Sequence, residues 1–450
     1  MSIINDNIKL SEVTRKKRFD SEYFQPDFVN NENKVRNTIY PVKKLSQIAY
    51  ITDGDHSTRK YLKTGVRFLT SENFSEFVIN YETDKYLSEK YEMSLKRSRA
   101  EKDAIFITKT GRYYGKASIC IDDNINFNIP ADVGKIRILN DNVSPYFVVA
   151  FLNSKYGYTA IRRENSGGTR DRITLINLGK VEIPLNNDVV IETTIKAYIE
   201  KVYHSQMLYE EARKILDKAL DLDSLASDYS KHSVSSYASI ITSRRIDSQH
   251  FQARYTDLIK HLSSFPCEKI RNIRTYNRRG VQPIYIEKGS IDVVNSQHIS
   301  KMHIKYDELQ KTSESFFLKN SEGHIKENDL LIYTTGAYVG QTNIYLKNTP
   351  ALASNHVNIL RVNSDIDPAY ISMIFQSLVG QLQTKMHSRG SAQAELYPSD
   401  IDKFVIPIIA CEQQKQIGNL VRNSLLEENE SKLLLIQVIN RIECLIENSI

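Results

Sequence analysis

Residues 18–25 read RFDSEYFQ, and residues 245–252 read RIDSQHFQ. The second octapeptide lies 227 positions after the first and keeps its arginine, its Asp-Ser pair, its phenylalanine and its final glutamine. A match of this kind between two distant segments indicates an internal repeat, so the two halves are expected to share one fold.

The repeat continues downstream of each octapeptide. Residues 103–107 (DAIFI) precede a Gly-x-x-x-Gly that begins at Gly111, and residues 329–333 (DLLIY) precede another that begins at Gly336. Five further pairs keep a constant offset of 223 positions: Pro145/Pro368, Ser154/Ser377, Gly157/Gly380, Gly167/Gly390 and Pro184/Pro407. The constant register predicts two copies of one domain, separated by only small insertions.

Each copy ends at an Ile-Pro pair, Ile183-Pro184 or Ile406-Pro407, and a segment with helical periodicity follows. Two long helices beside two equivalent domains favour an antiparallel coiled coil, although each helix could instead be buried against its own domain. The pattern predicts five segments: a first domain (1–186), a long helix (187–222), a linker (223–244), a second domain (245–409) and a second long helix (410–450).

The expected fold class is therefore α+β. It comprises two tandem mixed α/β domains separated by two long helices, with a pseudo-two-fold axis relating the halves. The seam of the first helix is predicted to follow a heptad pattern through Tyr209 and Leu220, with Gln206 and Arg213 as polar interruptions.

The composition is that of an ordinary globular chain. Of the 450 residues 41% are hydrophobic, and 60 basic against 54 acidic residues give a net charge of +6. No apolar run approaches the ~20 residues of a membrane span, and the N-terminus lacks a secretory signal, so we expect a cytoplasmic protein. The four cysteines form no Cys-x-x-Cys pair and are predicted to be free thiols.

The sequence contains no recognisable catalytic or metal-binding motif. The stretch from Gly111 to Lys116 has three residues between its glycines where a phosphate-binding P-loop has four, and Ala117 stands where Ser or Thr is needed. His298 and His303 are five residues apart, which matches no common zinc pattern. We therefore predict no catalytic residues, no metal and no cofactor in this chain.

Basic residues gather in turn-like segments next to Gly, Thr and Tyr, as expected of loops that approach DNA phosphates and base edges. Any one cluster could be an ordinary solvated surface, but their recurrence in both domains favours DNA. The candidate DNA-binding residues are Arg59, Lys60, Arg67, Thr108, Lys109, Thr110, Arg112, Tyr113, Lys116, Arg170, Arg172, Arg274, Arg278, Arg279, Tyr338 and Gln341.

In these features the chain resembles the DNA-specificity (S) subunit of type I restriction-modification systems. The resemblance rests on residues 53–57 (DGDHS), residues 65–69 (GVRFL), the segment from Asp103 to Gly115, the two Ile-Pro ends and the duplicated layout, and it covers essentially the whole chain. In the second domain, residues 277–283 (NRRGVQP) replace the DGDHS stretch. Such divergence is expected where each domain reads a different half-site.

The resemblance implies a non-catalytic reader of a bipartite, asymmetric DNA site, with one target recognition domain per half-site. It implies two methyltransferase (M) subunits and restriction/translocase (R) subunits as partners, with S-adenosylmethionine, ATP and magnesium used by those partners. The helices would hold the domains apart and recruit the M subunits. The predicted partner-binding residues are Ile195, Ile199, Val202, Leu216, Leu435, Val438 and Ile442.

Two alternatives remain open from the sequence. One is a specificity subunit that serves a methylation-only system. The other is a coiled-coil protein-interaction module whose globular domains bind protein rather than DNA.

Overall fold

A computed structural model describes residues 13–14, 16–57, 60–111, 114–122, 124–165, 171–225, 234–390 and 393–448. The chain forms two compact units. Unit 1 comprises Met1–Lys201 with Glu430–Ile450, and unit 2 comprises Val202–Asn429. Both long helices therefore contribute residues to both units, which the predicted five-segment division did not anticipate.

The first half of the chain contains nine strands and six short helices within the described residues. The strands are β1 (Val42–Lys44), β2 (Ala49–Asp53), β3 (Val66–Phe68), β4 (Tyr86–Leu87), β5 (Ile105–Thr108), β6 (Ala117–Ile119), β7 (Phe127–Asn128), β8 (Val133–Ile138) and β9 (Glu182–Pro184). The helices are α1 (Pro26–Arg36), α2 (Leu45–Ile48), α3 (Glu89–Glu92), α4 (Pro145–Asn153), α5 (Lys155–Arg163) and α6 (Leu175–Leu178).

The remaining elements repeat this plan. The helices are α7 (Val189–Ala219), α8 (Tyr237–Ser243), α9 (Ala253–Leu262), α10 (Ile270–Ile273), α11 (Glu314–Lys319), α12 (Pro368–Gln376), α13 (Leu378–His387), α14 (Pro398–Ile401) and α15 (Cys411–Glu447). The strands are β10 (Cys267–Lys269), β11 (Arg274–Arg279), β12 (Ile291–Val294), β13 (Gln310–Thr312), β14 (His324–Ile325), β15 (Leu330–Tyr333), β16 (Thr342–Ile344), β17 (Ala351–Ala353), β18 (Val357–Val362) and β19 (Val405–Pro407).

The sheets of the two units have matching topology. Unit 1 has an antiparallel sheet of order β2-β8-β5-β6, and unit 2 has the equivalent sheet β11-β18-β15-β16. A second sheet, β4-β3-β7, corresponds to β13-β12-β17-β14, and each contains one parallel pair. The duplication predicted from the sequence is therefore present in the fold, and the predicted α+β class is confirmed.

Each unit is closed by pairing the start of its domain with the Ile-Pro end. Strand β1 pairs antiparallel with β9, and β10 pairs antiparallel with β19. The proline stands at the last position of the strand, where it ends the ladder because it has no N–H to donate.

The core of each unit is covered by a bent pair of short helices, α4–α5 and α12–α13. Pro145 and Pro368 occupy the first turn of α4 and α12, where a missing N–H costs nothing, and Ser144 and Asp367 cap those helices. Residues 146–152 of α4 are all buried, as are residues 369–375 of α12. These apolar helices anchor the sheets that carry the β5–β6 and β15–β16 loops.

The bend between the paired helices requires a glycine in both units. A Cβ atom on Gly157 would lie 2.0 Å from the carbonyl oxygen of Phe151, and one on Gly380 would lie 2.2 Å from that of Phe375. Gly157 and Gly380, which match in the sequence repeat, are thus both required because a larger residue would clash with a backbone carbonyl.

The two long helices pack antiparallel within each unit. In unit 1, Asp188 bonds to Arg441 at 2.8 Å, and Lys201 pairs with Glu430 at 2.5 Å. In unit 2, His204 lies 3.4 Å from Glu427, and the hydroxyls of Ser205 and Ser424 donate to each other's carbonyl oxygens at 2.9 and 2.8 Å. Residue numbers rise on one helix as they fall on the other, as predicted. The two-fold relation between the units stays a prediction.

The contact seam departs from the predicted heptad. Tyr209, Leu216 and Leu220 are buried as expected, but Ser205 and Ala212 are buried where Gln206 and Arg213 were predicted. The linker also differs from the expectation, because it contains the helix α8. Among the described residues, no helix is both long and apolar enough to cross a lipid bilayer.

Candidate nucleic-acid interface

The glycine pairs of the two units lie in equivalent loops, between β5 and β6 and between β15 and β16. Gly111 and Gly115 have φ angles of +78° and +81°, and Gly336 and Gly340 have +120° and +89°. Because L side chains rarely adopt these angles, glycine is required for the chain to turn here. Each loop is paired with a second segment, through isolated bridges between Thr110 and Arg172 and between Thr335 and Glu395.

In unit 1, the end of β2 carries an acidic side chain surrounded by cations. The carboxylate of Asp53 accepts a hydrogen bond from Lys109 Nζ at 2.6 Å, lies 3.1 Å from His56 Nε2 and 3.5 Å from Arg97 Nη2. Burial alone would raise the pKa of Asp53, but the hydrogen bonds from Lys109 and His56 outweigh it, so this pKa lies below its usual value. Asp53 is therefore a buried anion that holds the loops together.

This cluster corrects two predictions. Thr108 is fully buried at the end of β5, and its hydroxyl bonds to the carbonyl of Lys116 at 3.4 Å. Lys109 is only 6% exposed, and its ammonium is directed at Asp53. Neither side chain offers surface for a DNA contact in this conformation, because β5 is buried along its length and Lys109, which follows it, is held against Asp53.

The other predicted residues of unit 1 are more accessible. Lys60, Arg67 and Arg172 are exposed, whereas Thr110 and Lys116 are half-buried. Lys116 lies 3.4 Å from Glu76. Four of the predicted residues lie outside the described part of the chain: Arg59, Arg112, Tyr113 and Arg170.

A second acidic residue, which the sequence reasoning did not select, organises the loop after β2. The carboxylate of Asp55 accepts hydrogen bonds from Tyr91 Oη at 2.7 Å and from Ser57 Oγ at 2.8 Å. A Cβ on the intervening Gly54 would lie 1.9 Å from the carbonyl oxygen of Ile129. The DGDHS stretch is therefore a tightly packed loop whose acidic groups are used internally.

In unit 2, three arginines of β11 have different environments. Arg274 forms a two-pronged ion pair with Asp402. Arg279 pairs with Glu395 at 2.7 Å and stacks 4.7 Å over the ring of Tyr397. Arg278 is exposed on the strand between them.

The remaining unit 2 candidates lie in the glycine loop. Tyr338 is 62% exposed and lies edge-to-face with Tyr333 at 6.3 Å between ring centroids. Gln341 is half-buried at the end of the same loop. Arg278, Tyr338 and Gln341 thus offer accessible polar groups, while Arg274 and Arg279 are already paired.

Strand pairing reveals which residues occupy equivalent positions. Asp53 pairs with Gly134 on β8, and Arg279 pairs with Asn358 at the same register of β18. Each is followed by a glycine that packs against a backbone carbonyl, Gly54 in unit 1 and Gly280 in unit 2. Asp53 and Arg279 therefore stand at one structural position with opposite charge.

The seam residues predicted to bind a partner are used inside the chain. Ile195, Ile199, Leu216, Val438 and Ile442 are each 2% exposed or less. Val202 and Leu435 are half-buried. This corrects the prediction for the first five, because their side chains are covered by the antiparallel helix pair and its unit. Among the described residues no group of three or more His, Cys, Asp or Glu side chains could hold a metal ion.

Residues 269–432 match the family described as the type I restriction modification DNA specificity domain. The match begins in β10 and ends within α15, and it confirms the resemblance predicted from the sequence. No curated protein matches the chain.

Several solved structures are similar to the chain at low identity. The S subunit of a type I restriction-modification system from M. genitalium is 14% identical with a TM-score of 0.48, and the similarity covers 92% of this chain and 96% of that one. The HsdS subunit from Thermoanaerobacter tengcongensis is 12% identical with a TM-score of 0.28, covering 91% and 96% of the two chains. The type IIG restriction endonuclease BpuSI is 10% identical with a TM-score of 0.29, covering 42% and 30%.

Proposed function

We propose that this protein is the non-catalytic DNA-recognition subunit of a type I restriction-modification complex and reads one half-site with each unit. The observation that carries the proposal is the specificity domain in the second half together with the same sheet order in the first. A duplicated domain suits a bipartite site because each copy can contact one part of it.

The difference between the units supports an asymmetric site. Unit 1 has an acidic group at the end of β2, whereas unit 2 has an arginine at the equivalent position of β11. Accessible basic groups remain on both, including Lys60 and Arg172 in unit 1 and Arg278 in unit 2. Because arginine and lysine contact phosphates and guanine edges, the two surfaces would favour different base sequences.

Recruitment of two methyltransferase subunits would use the outer face of the helices, since the inner seam is buried. On α15, Leu433 and Ile436 in unit 1 are 60% and 50% exposed, and Leu426 in unit 2 is 53% exposed. Exposed apolar side chains of this size on a helix are typical of protein contacts. S-adenosylmethionine, ATP and magnesium would act in the methyltransferase and the restriction/translocase subunits, in the cytoplasm.

The test is base-resolution mapping of adenine methylation in the source cell, with the gene intact and deleted. We expect one bipartite motif to disappear on deletion. Replacing only residues 1–186 by those of another specificity subunit should then change one half of the motif and keep the other half. An unchanged methylation map in the deletion strain would contradict the proposal.

A salt titration separates DNA recognition from the protein-interaction alternative. Binding that neutralises Z phosphates weakens with a slope of about −0.9Z in a plot of log affinity against log salt. A duplex containing the mapped motif should show this dependence. A flat response, with binding to a protein partner retained, would favour the interaction module.

A further inference from the structure

A short repeat leads into the second sheet of each unit. Residues 61–65 read YLKTG and residues 285–289 read YIEKG, so a tyrosine, an aliphatic residue and a glycine recur 224 positions apart. We call each segment a corner; the first precedes β3 and the second precedes β12. The offset is close to that of the other matched pairs, which indicates that the corners are equivalent parts of the two copies.

The corners make the same backbone contacts. The Leu62 N–H donates to the carbonyl oxygen of Tyr86 at 2.8 Å, and the Ile286 N–H donates to that of Lys311 at 2.8 Å. Tyr86 pairs with the second residue of β3 and Lys311 pairs with the second residue of β12, so the two acceptors occupy one register. The aliphatic residue of each corner is therefore fixed at the same place beside its sheet.

Each corner ends at a glycine that the fold requires. A Cβ atom on Gly65 would lie 2.3 Å from the carbonyl oxygen of Leu87, and one on Gly289 would lie 2.4 Å from that of Thr312. Leu87 pairs with the first residue of β3 and Thr312 with the first residue of β12, so these two carbonyls are equivalent as well. Backbone packing thus explains why the glycine recurs.

Burial does not explain the tyrosine and the aliphatic residue, because their side chains are exposed in both units. Tyr61 and Leu62 are each 45% exposed, Tyr285 is 44% exposed and Ile286 is 40% exposed. Single exposed apolar side chains are common on any protein surface. The same pair, exposed to the same extent at equivalent positions, indicates a contact outside the chain that both units make.

Both tyrosine rings are held in position by their own unit. The ring of Tyr61 lies 5.7 Å from that of the fully buried Phe68 between centroids. The hydroxyl of Tyr285 lies 3.5 Å from the side-chain amide nitrogen of Asn295. A side chain that is already held loses little conformational freedom when it binds, so these rings are suited to a contact with a partner.

The charges beside the corners favour a polyanion as that partner. Lys60 and Lys63 are exposed on either side of the pair in unit 1. In unit 2 the exposed Lys288 stands next to Glu287, so the local charge is smaller there. Lysine and tyrosine side chains both donate hydrogen bonds to DNA phosphates, and these contacts fix the position of a protein on the duplex.

The recurrence of the pair indicates which part of the DNA it contacts. The polar residues at the strand ends differ between the units, as Asp53 and Arg279 show, whereas the tyrosine and the aliphatic residue are kept. Two half-sites of different sequence have only the sugar-phosphate backbone in common. A pair that is kept in both units is therefore matched to that backbone.

We propose that the two corners are sequence-independent anchors for DNA. In each unit the tyrosine hydroxyl donates to a phosphate oxygen, and the aliphatic side chain packs against the neighbouring deoxyribose. The inference rests on the proposed function of the chain as a DNA reader. It adds that each unit holds the duplex with the same pair of side chains and reads bases with residues that differ between the units.

The test removes one pair at a time from the full-length protein. The double variants Tyr61→Ala/Leu62→Ala and Tyr285→Ala/Ile286→Ala should each lower affinity roughly 10-fold, as expected for the loss of one hydrogen bond to a charged group and one apolar contact. The factor should be the same for a duplex carrying the mapped motif and for an unrelated duplex. The slope of log affinity against log salt should stay constant, because neither side chain is charged.

Milder and matched variants separate this effect from a loss of folding. Tyr61→Phe and Tyr285→Phe remove only the hydroxyl and should give smaller losses on both duplexes. Leu139→Ala is the control, because Leu139 is 59% exposed and bonds to Ile48, at the end of β2 opposite Asp53. It should leave affinity for both duplexes unchanged. Thermal unfolding should show that every variant used for binding is folded.

Two outcomes would overturn the anchors. A loss confined to the duplex with the mapped motif would mean that the pair reads bases. Undiminished binding of both double variants to both duplexes would remove the DNA contact altogether, and a weaker interaction with the methyltransferase subunit would then assign the corners to a protein contact. If deletion of the gene leaves the methylation map unchanged, the proposed function fails and this inference fails with it. A mapped motif bound at full affinity by both double variants contradicts the anchors alone.

Discussion

At the end of β2 in unit 1 stands Asp53, paired with the buried Lys109; at the same register of unit 2 stands Arg279, paired with Glu395. The surrounding backbone is alike, with a glycine following each residue and a parallel bridge after it. The exposure differs, since the side chains of the first pair are 7% and 9% exposed and those of the second 23% and 30%. Charge and exposure can therefore change at this position while the strand order is kept.

The comparison shows which features the fold requires. Glycines that touch a backbone carbonyl recur in both units, as do the helix caps and the Ile-Pro strands. The polar residues at the strand ends do not recur. A duplicated scaffold of this kind can vary its surface in each copy because the packing that holds it lies elsewhere.

The largest effect is expected from breaking the ion pair of unit 1. Asp53→Ala leaves Lys109 buried without its anion, and removing one partner of a buried pair typically costs about 3–5 kcal/mol. We expect urea denaturation to show a decrease in the free energy of unfolding that approaches this size. The reversed pair Asp53→Lys/Lys109→Asp should recover part of the loss; no recovery would mean that His56 and Arg97 dominate the site.

The shared glycines should be nearly as sensitive. Gly54→Ala places a Cβ 1.9 Å from a carbonyl oxygen, and Gly280→Ala places one 2.0 Å from another. Overpacking against backbone costs roughly 1–3 kcal/mol or more, so both variants should unfold at clearly lower urea concentrations. Gly111→Ala is the matched control, because no atom of the described residues lies within 4 Å of its Cβ and the positive φ is what opposes the substitution. Equal losses in all three would exclude the steric explanation.

Breaking the pair of unit 2 should cost less. Arg279→Ala removes a partly exposed ion pair, for which about 1 kcal/mol or less is typical, plus the packing of its side chain on Tyr397. A loss as large as that of Asp53→Ala would contradict the difference in exposure between the two sites.

Much of the fold follows from the sequence, for a specific reason. Pro145 and Pro368, like Gly157 and Gly380, are separated by 223 positions. The same residue type recurs at these positions because the local backbone requires it. Such constraints act locally, so they can be recognised without coordinates. The bounds of α7 and α15 likewise fall inside the predicted helical segments because long apolar periodicity without proline is a strong signal.

The candidate DNA-binding residues and the helix seam were harder to predict from the sequence than the fold. Lys109 lies next to a glycine in a basic stretch, yet its side chain is buried against Asp53, which is 56 residues earlier in the chain. The seam of α7 was misread because Ser205 and Ala212, which are small, fill the contact better than Gln206 and Arg213. Neither outcome can be read from spacing, because both depend on which partner the tertiary fold brings to the residue.

The units should also differ in their response to acid. Unit 1 has Glu164, which accepts a hydrogen bond from Tyr23, at the position where unit 2 has His387. Burial, together with the nearby His250, lowers the pKa of His387 to about 3. The ordinary histidine pKa of 6.5 applies in the unfolded chain, so between pH 6.5 and about 3 His387 binds a proton more readily in the unfolded state than in the folded state. The free energy of unfolding therefore decreases as the pH falls through that window. His387→Gln should flatten the dependence of the unfolding temperature on pH between 7 and 4. An unchanged slope would place the acid sensitivity in other groups.

The smallest effect on stability, and the most informative about DNA, is expected at Arg278. This side chain is exposed on β11 between two paired arginines, so Arg278→Ala should change the free energy of unfolding by no more than about 0.5 kcal/mol. If Arg278 contacts a phosphate, the variant should bind all duplexes more weakly and reduce the salt slope by about 0.9. If it reads a base, the loss should be confined to one position of the second half-site while the slope stays nearly constant. The two outcomes separate positioning from reading at a residue whose neighbours, Asn277 and Arg279, are already held by hydrogen bonds within unit 2.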